Sequence, residues 1–306
     1  MKSGKIIVVG SSNMDMVVKT DHIPAPGETI LSHSFFMNPG GKGANQAVAV
    51  SRLGGEVIFV SKLGNDLFGK QFSQLFANEG IGTGYVLFDE NIPSGIAFIT
   101  VDKSGENSIV VAPGANASLE KKDIALALKE IEQADIVLLQ LEIPMDTVEY
   151  VVGYAAPGNA KVILNPAPAS ALSHERLSKI DILTPNETEA GIIAGMKVTD
   201  IDSAKRAAKA IVDLGVKTVV ITLGSLGALI CDKGKFTMKE AKKVDAVDTT
   251  AAGDVFSGAL AVALAEGRGI ESAVEFACAA AAISVTRNGA QSSVPKRKEV
   301  DSAMGI

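Results

Sequence analysis

The sequence predicts an α/β protein, a doubly wound and mainly parallel sheet flanked by helices. Short β-branched runs recur at strand length, at 5–9, 57–63, 136–141, 161–165, 180–183 and 218–223. Between most of them lie stretches with apolar residues at helical spacing, at 44–53, 68–79, 121–133, 147–155 and 203–214. Strands alternating with helices imply parallel βαβ units, and strands buried on both faces read as continuous apolar runs, as these do. A third observation adds a smaller sheet. Residues 14–20 and 30–38 look like strands without a crossover helix, and 95–101 and 108–112 look like a pair joined by Asp102-Lys103-Ser104-Gly105, good turn chemistry. These read as a small β-lid formed by about 14–38 and 94–112, or as edge strands of the main sheet, within one domain spanning 1–306. The Ala-rich stretches 254–265 and 271–286 are expected to be close-packed helices.

Composition narrows the function classes. A chain of 306 residues with 47% apolar residues can bury a sizeable core, which excludes a mainly disordered protein. Lys and Arg number 29 against 35 Asp and Glu, a formal charge of −6, which argues against a general nucleic-acid binder. It leaves room for a small anion held by backbone dipoles. The two cysteines, Cys231 and Cys278, form no CxxC pair, so neither zinc nor a disulfide framework is expected. The three histidines, His22, His33 and His174, lack metal spacing and read as surface residues. No apolar run reaches the roughly 18 residues of a membrane span. The expectation is a soluble, cytoplasmic protein without membrane partners.

The motifs follow the chain. Gly10-Ser11-Ser12-Asn13-Met14-Asp15 comes directly after the first strand. In a doubly wound sheet the carboxyl ends of strands face the ligand crevice, so Asn13 and Asp15 are placed to grip adjacent sugar hydroxyls. Glu142, after the 136–141 strand, reaches the same edge. Each alone reads more readily as turn chemistry, while their coincidence at strand ends favours a site. Asn38-Pro39-Gly40-Gly41-Lys42-Gly43-Ala44-Asn45-Gln46 is not a P-loop, because Gly43 follows Gly41-Lys42 where Ser or Thr is required. It is not a dinucleotide fingerprint either, because Gln46 replaces the third glycine. A polyol site suits it better, with Gly41 allowing close backbone approach and Lys42 and Asn45 supplying polar groups; a turn before a helix is the alternative.

Thr184-Pro185-Asn186-Glu187-Thr188-Glu189 puts Asn186 and Glu189 on one helix face. That spacing suits water-mediated hold of Mg²⁺ and equally a helix cap. Thr222-Leu223-Gly224-Ser225-Leu226-Gly227 follows a strand, and its glycines let a nucleotide lie on the backbone or simply make a tight turn. Asp248-Thr249-Thr250-Ala251-Ala252-Gly253-Asp254 precedes an apolar helix. Small residues at a helix N-terminus make an anion hole, and an adjacent carboxylate, Asp254, can accept a proton from an attacking hydroxyl. Those are the parts that phosphoryl transfer needs, although a capped helix start has the same appearance.

Together these residues resemble the ribokinase-like carbohydrate kinase family over nearly the whole chain. Pro24-Ala25-Pro26-Gly27-Glu28-Thr29 leading to Gly40-Gly41-Lys42-Gly43-Ala44-Asn45-Gln46 looks like the family's first motif, and the 248–254 segment like its second. Gln140-Leu141-Glu142-Ile143-Pro144, Asn165-Pro166-Ala167-Pro168-Ala169 and Gly289-Ala290-Gln291-Ser292-Ser293-Val294-Pro295 are closest to the members that phosphorylate ribose.

The resemblance implies ATP-dependent phosphorylation of the ribose 5-hydroxyl, with Asp254 as general base. The N–H groups of Ala251, Ala252 and Gly253 would stabilise the transferring phosphoryl group. Asn13, Asp15, Gly41, Lys42, Asn45 and Glu142 would hold ribose. Asn186, Thr222, Leu223, Gly224, Ser225, Leu226, Gly227, Gly253 and Cys278 would line the ATP site, with Glu189 near Mg²⁺. A monovalent cation, K⁺, would sit at Asp248, Thr250, Ser284, Arg287, Gly289 and Ser293, partly through carbonyls. The lid would form a homodimer contact. Cys278 and Ser257 stand where many relatives have Asn, and Asn13 is retained where relatives acting on deoxyribose tend to have Met.

Overall fold

The computed structural model describes residues 4–170 and 172–306; residues 1–3 and 171 of the expected 1–306 domain lie outside the described residues. Thirteen strands occur among the described residues. They are β1 (Lys5–Val9), β2 (Asn13–Lys19), β3 (Ser34–Gly40), β4 (Glu56–Gly64), β5 (Gly82–Asp89), β6 (Gly95–Val101) and β7 (Asn107–Ala112). After these come β8 (Ile136–Leu139), β9 (Lys161–Leu164), β10 (Ile182–Leu183), β11 (Thr218–Thr222), β12 (Ala228–Asp232) and β13 (Lys235–Lys239). The helices are α1 (Lys42–Arg52), α2 (Leu67–Asn78), α3 (Lys121–Ile124), α4 (Leu128–Glu132), α5 (Met145–Ala155) and α6 (His174–Leu177). They continue with α7 (Glu187–Ala194), α8 (Ile201–Asp213), α9 (Ala252–Ala265), α10 (Ile270–Ser284) and α11 (Arg297–Met304).

The main sheet has nine strands in the order β13-β12-β11-β10-β9-β8-β1-β4-β5. Pairing is parallel from β11 through to β5, and antiparallel only between β11, β12 and β13. Alternate strand residues feed two cores, because successive side chains point to opposite faces. Ile6 and Val8 pack with α1, α2, α9 and α10 through Val48, Phe72, Leu260 and Phe276. Ile7 and Val9 pack on the other face with Ile124, Val151 and Ile211. The second sheet, of order β3-β2-β6-β7, is separate from the first, which decides between the two readings of these segments.

Several boundaries differ from the sequence expectation, each for a physical reason. β3 begins at Ser34, not near 30, and runs through Pro39 to Gly40. Leu31 is 91% exposed and outside any strand, while Pro39 is tolerated because β3 is an edge strand, where a missing N–H costs little. The helix expected at 121–133 is broken into α3, a 3₁₀ turn and α4. α10 stops at Ser284, and the next carbonyl, Val285 O, accepts instead from Val247 N (2.7 Å) and Asp248 N (3.2 Å). Three strands were not anticipated. β5 is half-buried and opens on Gly82 and Gly84. β12 and β13 form a hairpin whose turn, Lys233-Gly234, has both residues at positive φ, the favoured two-residue hairpin geometry. No helix among the described residues is long and apolar enough to cross a membrane.

Candidate active site

The site lies where β1, β8, β9, β10 and β11 end. Each strand delivers a polar residue just past its last paired position: Ser11 after β1, Gln140 and Glu142 after β8, Asn165 after β9, Thr184 after β10 and Thr222 at the end of β11. Neighbouring parallel strands therefore place side chains distant in sequence on one crevice. A cleft of ≈ 180 Å³ there is lined by Lys42, Asn165, Thr184, Asn186, Glu189, Thr222, Thr249 and residues 251–254.

Asp254 sits in the first turn of α9 and is buried. Its Oδ2 accepts from Asn45 Nδ2 (2.9 Å) and its Oδ1 from Gln46 Nε2 (3.0 Å), both donors being on α1. Burial pushes its carboxyl up, while Lys42, Asn45 and Gln46 pull it back down. The α9 N-cap is Ala251, held in the left-handed region at φ 60° and ψ 9°. A non-glycine residue there is strained by about 1–2 kcal/mol, a cost tolerated where it shapes a site. The turn does not leave all three expected donors open: Ala252 N–H already donates to Thr249 O at 3.2 Å. An anion bound at this turn would have to share or displace that bond.

Beside the cleft lies a sugar-sized group of acceptors and donors. Glu142 Oε2 accepts from Ser11 Oγ (2.6 Å), Lys42 N (3.1 Å) and Asn13 Nδ2 (3.3 Å). Asn13 Oδ1 accepts from Asn116 Nδ2 (2.8 Å), which fixes which end of the Asn13 amide faces Glu142. Asp15 is raised to about 7 by burial and by the charges of Glu142 and Asp254, against Lys42. Burial works to lower Lys42, but Asp254, Glu142, Glu189 and Asp15 surround it and hold its pKa above the ordinary value. The glycines are required by contact. A Cβ on Gly43 would stand 2.6 Å from Gly10 C, and one on Gly41, whose φ is +88°, 2.6 Å from Asn13 N.

The nucleotide-side expectations divide. Asn186 and Thr222 are joined by an isolated parallel bridge and both line the cleft. Asn186 and Glu189 form a reciprocal cap on α7, so the capping reading holds and Glu189 still faces the cleft. Burial pushes the Glu189 carboxyl up, countered by the Asn186 N–H and Lys42. Residues 223–227 form a 3₁₀ turn between β11 and β12, so the tight-turn reading also holds. Gly227 packs against the end of β13, where a Cβ would lie 2.0 Å from Lys239 O. Cys278 is buried in α10 and does not line the cleft; burial and Glu275 push its thiol up to about 11.

The residues expected around a monovalent cation fall together at one loop junction. Asp248 accepts from Thr250 N (2.9 Å), Thr250 Oγ1 (2.5 Å) and Gly289 N (2.8 Å). Those bonds hold its carboxyl below the usual range against its burial. Arg287 N donates to Ser284 O at 3.0 Å and its guanidinium pairs with Glu299. Ser284 Oγ and Ser293 Oγ donate to Ala281 O (2.8 Å) and Ala290 O (2.7 Å), leaving their lone pairs as acceptors. An oxygen-rich, weakly charged set of this kind fits a large monovalent ion better than a transition metal. His22 and His33 contact Glu28 and Asp21 at the surface.

Sequence reasoning overlooked Ser11, Asn116, Gln140, Asn165 and Thr184 as supports of the site. For Ser11, Gln140, Asn165 and Thr184 the signal available was position, a polar residue one or two residues after an apolar strand; Asn116, in the 3₁₀ turn Gly114–Ser118, carried no such signal.

An acceptor-lined pocket for hydroxyls, opening onto a helix N-terminus with a buried carboxylate, is a phosphotransferase arrangement on a doubly wound α/β fold. Comparison with known proteins agrees. A model described as pfkB family carbohydrate kinase matches residues 3–297, and the chain belongs to that family. It is 47% identical to the ribokinase of Haemophilus influenzae over 294 residues, 96% of each chain. Among solved structures it is similar to Thermotoga maritima ribokinase (TM-score 0.90, 44% identity, 99% of this chain and 100% of that one). It is also similar to Arabidopsis thaliana ribokinase complexed with ribose and ATP (TM-score 0.92, 35% identity, all of both chains).

Proposed function

We propose that the protein is a cytoplasmic enzyme that transfers the γ-phosphoryl group of ATP to the 5-hydroxyl of D-ribose, giving ribose 5-phosphate and ADP. The observation that carries this reading is the buried Asp254 at the N-terminus of α9, shared between the hydroxyl-binding group and the cleft. The ribose 5-hydroxyl gives its proton to Asp254, its oxygen bonds to the γ-phosphorus, and the bond from that phosphorus to the β-bridging oxygen breaks. The N–H groups of Gly253 and its neighbours receive the charge that develops, as preorganised dipoles do.

Asn13, Asp15, Gly41, Lys42, Asn45 and Glu142 hold the sugar. The retained amide of Asn13 favours ribose over 2-deoxyribose, because it can pair with the 2-hydroxyl. Asn186 and residues 222–227 line the ATP site. Glu189 would hold Mg²⁺, which would neutralise charge on the phosphates. Asp248, Thr250, Ser284, Arg287, Gly289 and Ser293 would hold K⁺, which would stiffen the anion hole. Two copies pair through the exposed apolar face of the small sheet, which acts as a lid.

The test is an assay of the purified protein with ATP and a panel of ribose, deoxyribose, fructose and adenosine, with the phosphorylated carbon identified. Ribose phosphorylated at the 5-hydroxyl in clear preference supports the reading. Weak ribose turnover beside strong turnover of another acceptor removes it.

A further inference from the structure

Behind Asp254 lies a chain of buried amides, Gln46, Gln140 and Asn165, that lies outside the clamp proposed for the sugar; of the three, Asn165 reaches the cleft. Gln46 and Gln140 are both 0% exposed. Gln46 Nε2 donates to Asp254 Oδ1 (3.0 Å) and to Asn165 Oδ1 (3.3 Å), and its Oε1 accepts from Gln140 Nε2 (2.6 Å). Asn165 Nδ2 donates to Thr184 O at 3.1 Å, which fixes the Asn165 oxygen toward Gln46. Gln140 Oε1 is left without a partner and rests on Gly10, where a Cβ would be 2.0 Å away. Reversing the Gln46 amide would face its oxygen to the oxygens of both Asp254 and Asn165, and its NH₂ to that of Gln140. Burial makes each such mismatch expensive. The chain therefore has one stable polarity, and it ends on the carboxylate.

We propose that Gln46 is a positioning residue that aims the Asp254 carboxylate and keeps it a proton acceptor, with Gln140 and Asn165 fixing Gln46 in turn. The inference rests on the reading of Asp254 as the general base. The other charged groups that act on Asp254 or neighbour it are Lys42 on α1, Asp15 on β2, Glu142 after β8 and Glu189 on α7. Only Lys42 among them favours the ionised base. The neutral donors on its two oxygens, Asn45 and Gln46, therefore carry much of the load. The unpartnered Gln140 oxygen is a local cost retained where orientation is needed.

The test compares wild type, Gln46→Met and Gln140→Met by two readouts, the carboxyl titration of Asp254 followed by ¹³C NMR without substrate, and the pH profile of kcat/KM. Removing a donor to the ionised form raises a carboxyl pKa. Gln46→Met is expected to move the Asp254 titration and the acid limb upward by about one pH unit, with KM for ribose changed less than about threefold. Gln140→Met is expected to shift both in the same direction by less. A folded Gln46→Met with an unmoved titration overturns the proposal. If Gln46→Met does not fold, Gln140→Met decides, and an unmoved titration there overturns it. Absence of ribose turnover by wild type would instead remove the proposed reaction, while the NMR titration still judges Gln46.

Discussion

Burial raises the Asp254 carboxyl above its ordinary value, and its neighbours limit that rise. It takes one donor on each oxygen and lies near the Lys42 ammonium, and these offset part of the loss of water. Asp254→Asn keeps both shape and α9, so ribose binding is expected to persist while kcat falls by roughly 10²–10⁴; titration calorimetry beside steady-state kinetics checks both. Asp15 behaves differently. Its carboxyl, raised to about 7 from 3.8, stays protonated in the folded chain where the unfolded chain has already ionised. Folding stability therefore falls as pH rises through that window and then levels off. Asp15→Asn is expected to leave stability unchanged at pH 4 and to raise it at pH 8 by about 2–4 kcal/mol, at the expense of ribose affinity. Urea unfolding at the two pH values measures this, and equal changes at both would contradict the assignment.

At the scale of elements, α1 and α9 carry the two halves of the site and cross at a point without side-chain bulk. A Cβ on Gly258 would stand 2.7 Å from Ala49 Cβ and 3.0 Å from Gln46 O. Gly258→Ala is expected to cost about 1–3 kcal/mol by overpacking and to lower kcat more than it changes KM. Adding Ala49→Gly should restore much of both, a rescue visible in thermal melts and kinetics. The same elements show what the sequence makes legible. Parallel strands such as β1 and β8 declare themselves by unbroken apolar runs, because both faces are buried. β5 and β13 do not, since edge strands with half-exposed faces carry mixed residues. Asp254, Asn13 and Lys42 were legible because small residues around them form a recognisable spacing. Gln140 and Asn165 were not, because an isolated amide after a strand acquires meaning only when neighbouring strands bring it beside Gln46.

At the scale of the molecule, the small sheet leaves an apolar face uncovered. One cross-strand row runs Met37, Met16, Phe98, Val110, and Met37, Phe98 and Val110 are 47%, 50% and 64% exposed. Large contiguous apolar patches mark interaction surfaces. If two copies pair through this face as proposed, Phe98→Asp is expected to leave the protein monomeric in sedimentation and to weaken ribose binding; a Phe98→Asp protein that sediments as the wild type does would count against this contact. With K⁺ proposed at the Asp248 junction, replacing it by Na⁺ in the assay is expected to lower kcat, because the smaller ion would fit the junction less well; indifference would count against a cation there.

The short joints between the two sheets have a mechanical consequence. β1 passes into β2 through Gly10, Ser11 and Ser12, and β3 passes into α1 through Gly41 alone. Both joints carry residues of the proposed sugar clamp, Asn13 at the start of β2 and Gly41 between β3 and α1. Any tilt of the small sheet would therefore turn about that clamp, with the rim at Leu31 travelling farthest and the sugar-binding groups least.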